Sequence, residues 1–442
     1  MQHVMFKKLI YQPIAIAPLI SFRILFGILT LFSTIRFYQK GWINQLFIEP
    51  EFYFSFLPFI KPLPANITYF LFGIMALSSF CISLGFFYRI ATTIFFLIFT
   101  YFELLDKTNY LNHYYFISLV SFILIFLPAN KAISLDNLIF KKENYTHVAA
   151  FNINILKLML GIVYFFAGIA KINPDWLLEA LPLKIWLQAK YHYPIIGNLL
   201  TQEYVAYFFS WAGCIFDISI FFLLINNTTR KFGYIALIFF HVLTSWLFPI
   251  GVFPFIMISL TTIFFSANTH QKIQHFLFKI DWNAISKKIY TAQTQKIKII
   301  FFSIFIIIQL ILPFRYLLYK GNLFWHEQGF RFSWRVMLIE KVGYASFFIK
   351  AENHNDVIAI DNKKYLSRTQ IKMLNTQPDM MVQYAHFLKE KYQKLGFKNP
   401  KVFAEIYISL NGKGSKLYNN INIDLSSQKN NLKQKEWILQ YE

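Results

Sequence analysis

Residues 299–314 read IIFFSIFIIIQLILPF, and residues 66–88 run for 23 positions without a charged side chain. A helix of about 20 such residues crosses the hydrocarbon core of a bilayer. These blocks have no alternating polar face, which argues against a soluble amphipathic bundle. They are also too long and too uniform for the dyad-patterned strands of a membrane barrel. Spans are expected at 16–37, 66–88, 91–105, 113–128, 151–172, 204–224, 232–248, 251–266 and 299–314. The two between 91 and 128 are short, which points to a tilted or broken pair. Composition agrees, because only 15% of residues are charged, against about 25% in a typical soluble chain. The N-terminal segment MQHVMFKKLIYQP lacks the apolar run and small-residue cleavage site of a signal peptide. The first block is therefore expected to remain as a span. No internal repeat is evident, which weakens a transporter built from inverted halves.

A net charge of +21 raises the question of nucleic acid. The lysines lie in loops between spans rather than on one basic helix or patch, so no nucleic-acid partner is expected. Loops facing anionic lipid account for them better. Setting aside Arg23, Arg36, Lys157 and Lys171, which fall inside spans, alternate loops hold fourteen and five Lys and Arg. The excess puts the N-terminus in the cytoplasm and, after nine crossings, the C-terminus outside. Cys81 and Cys214 both lie inside apolar blocks and imply no disulfide framework.

From residue 315 the composition changes. Charged and amide residues become frequent and apolar runs shorten to strand length. Residues 356–359 and 401–410 read as strands, the second running into Asn411-Gly412, a hairpin signal. Residues 378–394 read as a helix with Pro at its first turn and Met381, Tyr384 and Leu388 on one face. The expected fold is thus a polytopic α-helical membrane bundle of about nine helices, residues 1–314. It carries an extracytoplasmic domain of mixed, mainly β structure, residues 315–442.

Lys171 ends a run of ten uncharged residues in GIVYFFAGIAKINPDW. An ammonium at membrane depth is costly, so such a lysine loses its proton or finds a partner. A neutral amine is a usable general base. The alternative is a lysine snorkelling to the interface beside Asp175 and Trp176. His113 lies in DKTNYLNHYYF, where Asp106, Asn109 and Asn112 form a polar cluster between two apolar blocks. Such groups line a protein cavity, with Asp106 able to orient an imidazole, or form a wet interfacial turn within a tyrosine belt. Asp217 and His241 are isolated polar groups within spans and weaker signals. No metal-binding motif is present, and there is no GxSxG, P-loop or GxGxxG. WHEQGFRFSWRVMLIEK, residues 325–341, reads as an aromatic anchor with salt bridges just beyond the last span.

Three of these segments carry a resemblance. FELLDKTNYLNHYY (102–115), YFFAGIAKINPDW (164–176) and GFRFSWRVM (329–337) resemble the vitamin K-dependent gamma-glutamyl carboxylase family, whose membrane part is also called the horizontally transferred transmembrane domain. HVLTSWLFPIGVF (241–253), PDMMVQYAHFL (378–388) and EIYISLNG (405–412) are similar too, so the likeness runs through nearly the whole chain. It implies that Lys171 is the base and that His113, with Asn112, is essential. Lys171 would deprotonate a reduced vitamin K or menaquinol-like naphthoquinol. The anion would react with O2 to give a strong base that takes the γ-hydrogen of a peptidyl glutamate, and CO2 would add while the quinone leaves as an epoxide.

Asp106, Tyr114, Trp176 and His241 are expected to line the cofactor's surroundings. Trp334 and Arg335 either touch substrate or brace the outer domain. The partners implied are membrane lipids and a glutamate-containing peptide or protein, at a bacterial inner membrane. Animal members have a lysine pair where this chain has Ala170-Lys171, and this chain is shorter. A quinol oxygenase or epoxidase without carboxylation, and a lipid- or anion-binding transporter, remain as alternatives.

Overall fold

The computed structural model describes residues 9–285, 287–291 and 295–441. Lys7 and Lys8, part of the loop count, lie outside the described residues. Helices occupy each expected span: α1 (Ala17–Gln39), α2 (Ala65–Leu84), α3 (Tyr88–Leu105), α4 (Asn112–Phe126), α5 (Phe151–Lys171), α6 (Glu203–Ile225), α7 (Arg230–Leu247) and α8 (Phe253–Leu260). After a further helix, α9 (Ala267–Phe278), α10 (Gln295–Ile311) makes the last expected pass and continues as a 3-10 turn, Leu312–Leu318. Among the described residues six helices are long and apolar enough to cross a membrane: α1, α2, α3, α5, α6 and α10 with its extension. α4, and α8 with the turn that prolongs it to Phe264, are apolar but shorter. The expected tilted or broken pair is α3 and α4, joined through a 3-10 turn at Lys107–Asn109.

α5 is the centre of the bundle. Its most apolar window is 72% buried, against 50% or less for the other spans. α6 approaches it closely at two glycines. A Cβ on Gly168 would stand 2.8 Å from the Ile218 backbone nitrogen, and one on Gly161 would stand 2.5 Å from the Phe221 ring. Small residues at such crossings let helix backbones pack without a gap. At one end of the bundle, β1 (Pro13–Ala15), β2 (His147–Ala149) and β3 (Ile289–Tyr290) form a small sheet. At the other end, α1, α3, α5 and α10 lead toward the C-terminal domain.

That domain is a four-stranded sheet of β4 (Lys341–Ala351), β5 (His354–Ile360), β6 (Lys401–Leu410) and β7 (Lys416–Leu417), in the order β5-β4-β6-β7. β4 and β6 are antiparallel and pair from Lys341↔Leu410 to Lys350↔Lys401. Ala345, Phe347 and Ile349 from β4 and Val402, Ala404, Ile406 and Ile408 from β6 share one core with Met381, Tyr384 and Leu388 of α12 (Pro378–Lys394). The helix and the strand ending at Asn411-Gly412 thus stand where the sequence put them, and the 356–359 segment lies within β5. A shorter helix, α11 (Arg368–Leu374), starts on a Ser367–Gln370 capping box.

Polar contacts dock this domain on the loop between α3 and α4. Lys107 Nζ lies 2.8 Å from Asp379 Oδ2, and Arg331 Nη1 donates to the same oxygen at 2.9 Å. Gln370 Nε2 donates to Asp106 Oδ2 at 3.1 Å, and Gln383 Nε2 to the Ser55 carbonyl at 2.8 Å. Burial alone would raise the Asp379 carboxyl, but Arg331 and Lys107 outweigh it and hold it below the ordinary carboxylate range. A carboxyl depressed by folding stabilises fully above its unfolded pKa of about 3.9 and loses that contribution as pH falls through the folded value. Asp379→Asn should lower stability at pH 7 by up to about 3 kcal/mol, since it strands two partly buried cations. Thermal unfolding in detergent should show the gap to wild type narrowing below pH 4.

Candidate active site

Lys171 is the last residue of α5 and is 7% exposed, with Asp217, on α6, at 4%. Its Nζ donates to Asp217 Oδ2 at 2.7 Å and to the Ala167 carbonyl at 3.2 Å. The amine also sits 5.4 Å from the centre of the Trp176 ring. Lys171 therefore turns inward to Asp217 and does not pair with Asp175, which accepts from Asn411 Nδ2 of the outer domain at 2.7 Å. Trp176 is fixed by its Nε1 donating to the Ser210 carbonyl at 2.9 Å, while Ser210 Oγ donates to the Trp176 carbonyl.

Two turns before Lys171, and so on the same face of α5, Tyr164 shares a 2.8 Å hydrogen bond with His241 Nε2. Among the described residues the other nitrogen of His241, Nδ1, is buried without a partner. The Phe253 ring lies 5.8 Å from His241 and 5.6 Å from His113, so both imidazoles flank one aromatic ring. Among the described residues His113 makes no hydrogen bond through its ring. Asp106 does not orient it, contrary to what the sequence allowed. That carboxylate caps the 3-10 turn at the Thr108 amide, at 2.9 Å, and meets Gln370. The cause is local, since Asp106 is the first residue past α3 and its side chain satisfies the next turn.

Asn112 faces the outer domain. Its Nδ2 donates to the Arg335 carbonyl at 2.8 Å, and its Oδ1 accepts from Tyr110 at 3.1 Å. Tyr110 Oη in turn accepts from the Phe332 amide at 2.8 Å. These bonds hold a strained stretch in which Phe332, Trp334 and Met337 all have positive φ, near +59°, +60° and +51°. Such conformations cost of order 1 kcal/mol or more each in a non-glycine residue. Trp334 is fully buried and stacks on Tyr115 at 5.0 Å. Arg335 lies over the Tyr316 ring at 4.4 Å, with its Nε buried and unpartnered.

Two cavities adjoin these residues. One, of about 290 Å³, lies at the outer-domain end of α5 and is lined by Ala170, Asn173, Tyr316, Ser333 and Arg335. The other, of about 380 Å³, lies among α1 to α4 and includes Tyr114 and Glu103. Neither Lys171 nor His113 lines either cavity. Among the described residues no group of three or more His, Cys, Asp or Glu is placed to hold a metal ion.

A family model described as the HTTM domain matches residues 11–268, more than half of the chain. One described as the lumenal domain of vitamin K-dependent gamma-carboxylase matches residues 294–442. This chain belongs to the vitamin K-dependent gamma-carboxylase family. No solved structure matches it significantly. As a gamma-carboxylase family member with apolar spans and a lumenal-type domain, it is an integral membrane protein with an extracytoplasmic domain.

In this gamma-carboxylase relative the sequence flagged Lys171, His113, His241 and Asp217, but not the pairing of Lys171 with Asp217 or of His241 with Tyr164. Asp217 stood alone in its block, because a contact spanning 46 positions leaves no local pattern. Glu103 was passed over, as it lies two residues from a helix end. One signal was available: Glu103 and Asp217 are the only acidic residues in the nine expected spans. Breaking a buried pair strands a charge, whereas replacing both partners by apolar groups does not. Asp217→Leu should therefore cost about 3–5 kcal/mol, and adding Lys171→Met should restore most of it, as read by thermal unfolding in detergent.

Proposed function

We propose that this protein is a naphthoquinol-dependent γ-glutamyl carboxylase acting on a glutamate-containing peptide or protein. The observation that carries this reading is the Lys171–Asp217 pair, buried at the end of the central helix and directly under the outer domain. An amine that takes up a proton in a low-dielectric interior needs a counter-charge, and Asp217 at 2.7 Å supplies it. The same carboxylate holds the amine in one position, as the orienting acid of a catalytic triad holds its imidazole.

The residues around the pair suit a naphthoquinol, an aromatic body with two oxygens. The unpartnered Nδ1 of His241 is a buried polar atom in want of a partner. Phe216, Phe240 and Phe253 supply aromatic surface beside His241 and Tyr164. On this reading the Lys171 amine, in its neutral form, takes the proton of one quinol hydroxyl and becomes the ammonium that Asp217 offsets, and His113 and His241 hold the quinol oxygens. Tyr164 fixes the His241 ring. When oxidised by O2, the quinol supplies the base that removes the γ-hydrogen of a glutamyl residue, which then takes up CO2.

Arg335 belongs to the cavity beside Ala170. Its planar guanidinium, braced on Tyr316, is suited to a glutamyl carboxylate. Asn112 acts at one remove, by holding the Arg335 backbone. Trp334, between two residues that line this cavity, stacks on Tyr115 and on this reading helps keep water from the site. On this reading the bundle sits in a bacterial inner membrane with the N-terminus in the cytoplasm, which the excess of Lys and Arg in the loops at the far end of the bundle supports. The domain boundary falls near residues 314 and 315.

Purified protein in nanodiscs, given reduced vitamin K, a glutamyl peptide and labelled bicarbonate, should form epoxide and fix label together. Lys171→Ala and Lys171→Arg should each lower both products by about 10²-fold or more, because Arg stays protonated. Epoxide without fixed label would select an oxygenase instead. Substrate flux that survives Lys171→Arg would select a lipid or anion transporter.

A further inference from the structure

Glu103 has no place in the chemistry assigned to Lys171. It lies on α3, 7% exposed, and its two carboxyl oxygens are treated unequally. Ser118 Oγ, on α4, donates to Oε2 and itself accepts from Thr100 at 3.2 Å. Among the described residues Oε1 is buried and has no partner. A buried polar atom left unpaired costs stability, and more so in an ionisable group. Glu103 lines the 380 Å³ cavity and, among the described residues, is the only carboxyl that does so.

The rest of the lining is rich in rings, with hydroxyl and amide groups such as Thr30, Ser33 and Asn109 between them. Phe37, Phe47, Phe72, Phe99, Phe102 and Tyr114 line it from four helices and the short helix after α1. Its volume falls in the usual range for small-molecule sites. Gln45 and Thr369, exposed residues that also line it, mark an opening beneath the outer domain. Aromatic walls favour a flat ring that stacks offset or edge-on. An ammonium would have to shed its water in a chamber with one carboxyl, whereas a hydroxyl donates to Oε1 at little desolvation cost.

We propose that this cavity is a second ligand site, which takes a membrane-soluble aromatic alcohol whose hydroxyl donates to Glu103 Oε1. The site is separate from Lys171, and its occupation does not depend on the carboxylation reading.

Full-length protein in nanodiscs tests this with 1-naphthol and naphthalene as probes, measured by equilibrium dialysis against empty nanodiscs. Wild type should bind 1-naphthol about tenfold more tightly than naphthalene, the equivalent of one good hydrogen bond. Glu103→Leu should erase that preference, while Glu103→Gln, which keeps an acceptor oxygen, should retain it. Ser33→Phe, which fills the cavity from α1, should lose both ligands and serves if Glu103→Leu does not fold. Lys171→Ala should leave the preference intact. Equal binding of the two probes by wild type would overturn the proposal, as would a preference that survives Glu103→Leu or Ser33→Phe. A preference lost in Lys171→Ala would also overturn it, by placing the alcohol at the other site.

Discussion

An amine at the buried end of an apolar helix has to be met by a counter-charge, and most of this structure can be read as the means of meeting it. Asp217 reaches Lys171 only because α5 and α6 run close together, and they do so over Gly161 and Gly168, where a side chain would collide with α6. That closeness makes α5 the most enclosed of the spans. The same face of α5 then carries Tyr164 to His241, and through Phe253 the line of polar groups reaches His113 on α4. Four helices thus converge on one region through a small number of buried polar contacts.

The outer domain completes that region from above. Asp175, four residues after Lys171, is held by Asn411 at the turn after β6. Asn112, next to His113, is tied to the strained 332–337 stretch through Arg335. Strain of that kind persists only where its surroundings over-determine it. Tyr110, Asn112 and the buried Trp334 do so here. The domain is fastened independently by Asp379 between Lys107 and Arg331. Membrane loop and outer domain therefore form one polar interface over the end of the bundle.

Much of this was legible in the sequence, for a physical reason. Apolar blocks report spans because a bilayer imposes a minimum length, and each expected block became a helix. Lys171 and His113 stood out because a polar group at membrane depth is costly and so rarely accidental. The strand ending at Asn411-Gly412 and the helix starting at Pro378 were marked by turn and capping chemistry, which is local. What escaped the sequence was pairing across distance. Asp106 looked like a partner for His113 by proximity in the chain, yet capping the next turn claimed it. β4 was missed because Val342, Tyr344 and Phe348 alternate with Ala345, Phe347 and Ile349, so both faces read as apolar and the period of two is lost. Glu103 showed nothing in sequence beyond its charge. Its unpartnered oxygen exists only once α3 and α4 are packed.

The most direct measurement is the structure of this protein in a lipid nanodisc with a naphthoquinol bound under anaerobic conditions. The expected result is a quinol oxygen within about 2.6–3.2 Å of Lys171 Nζ, the reach of a general base, with Asp217 still on the amine's other side. A quinol seated away from Lys171, with the Lys171–Asp217 pair undisturbed, would contradict the assignment of Lys171 as the base.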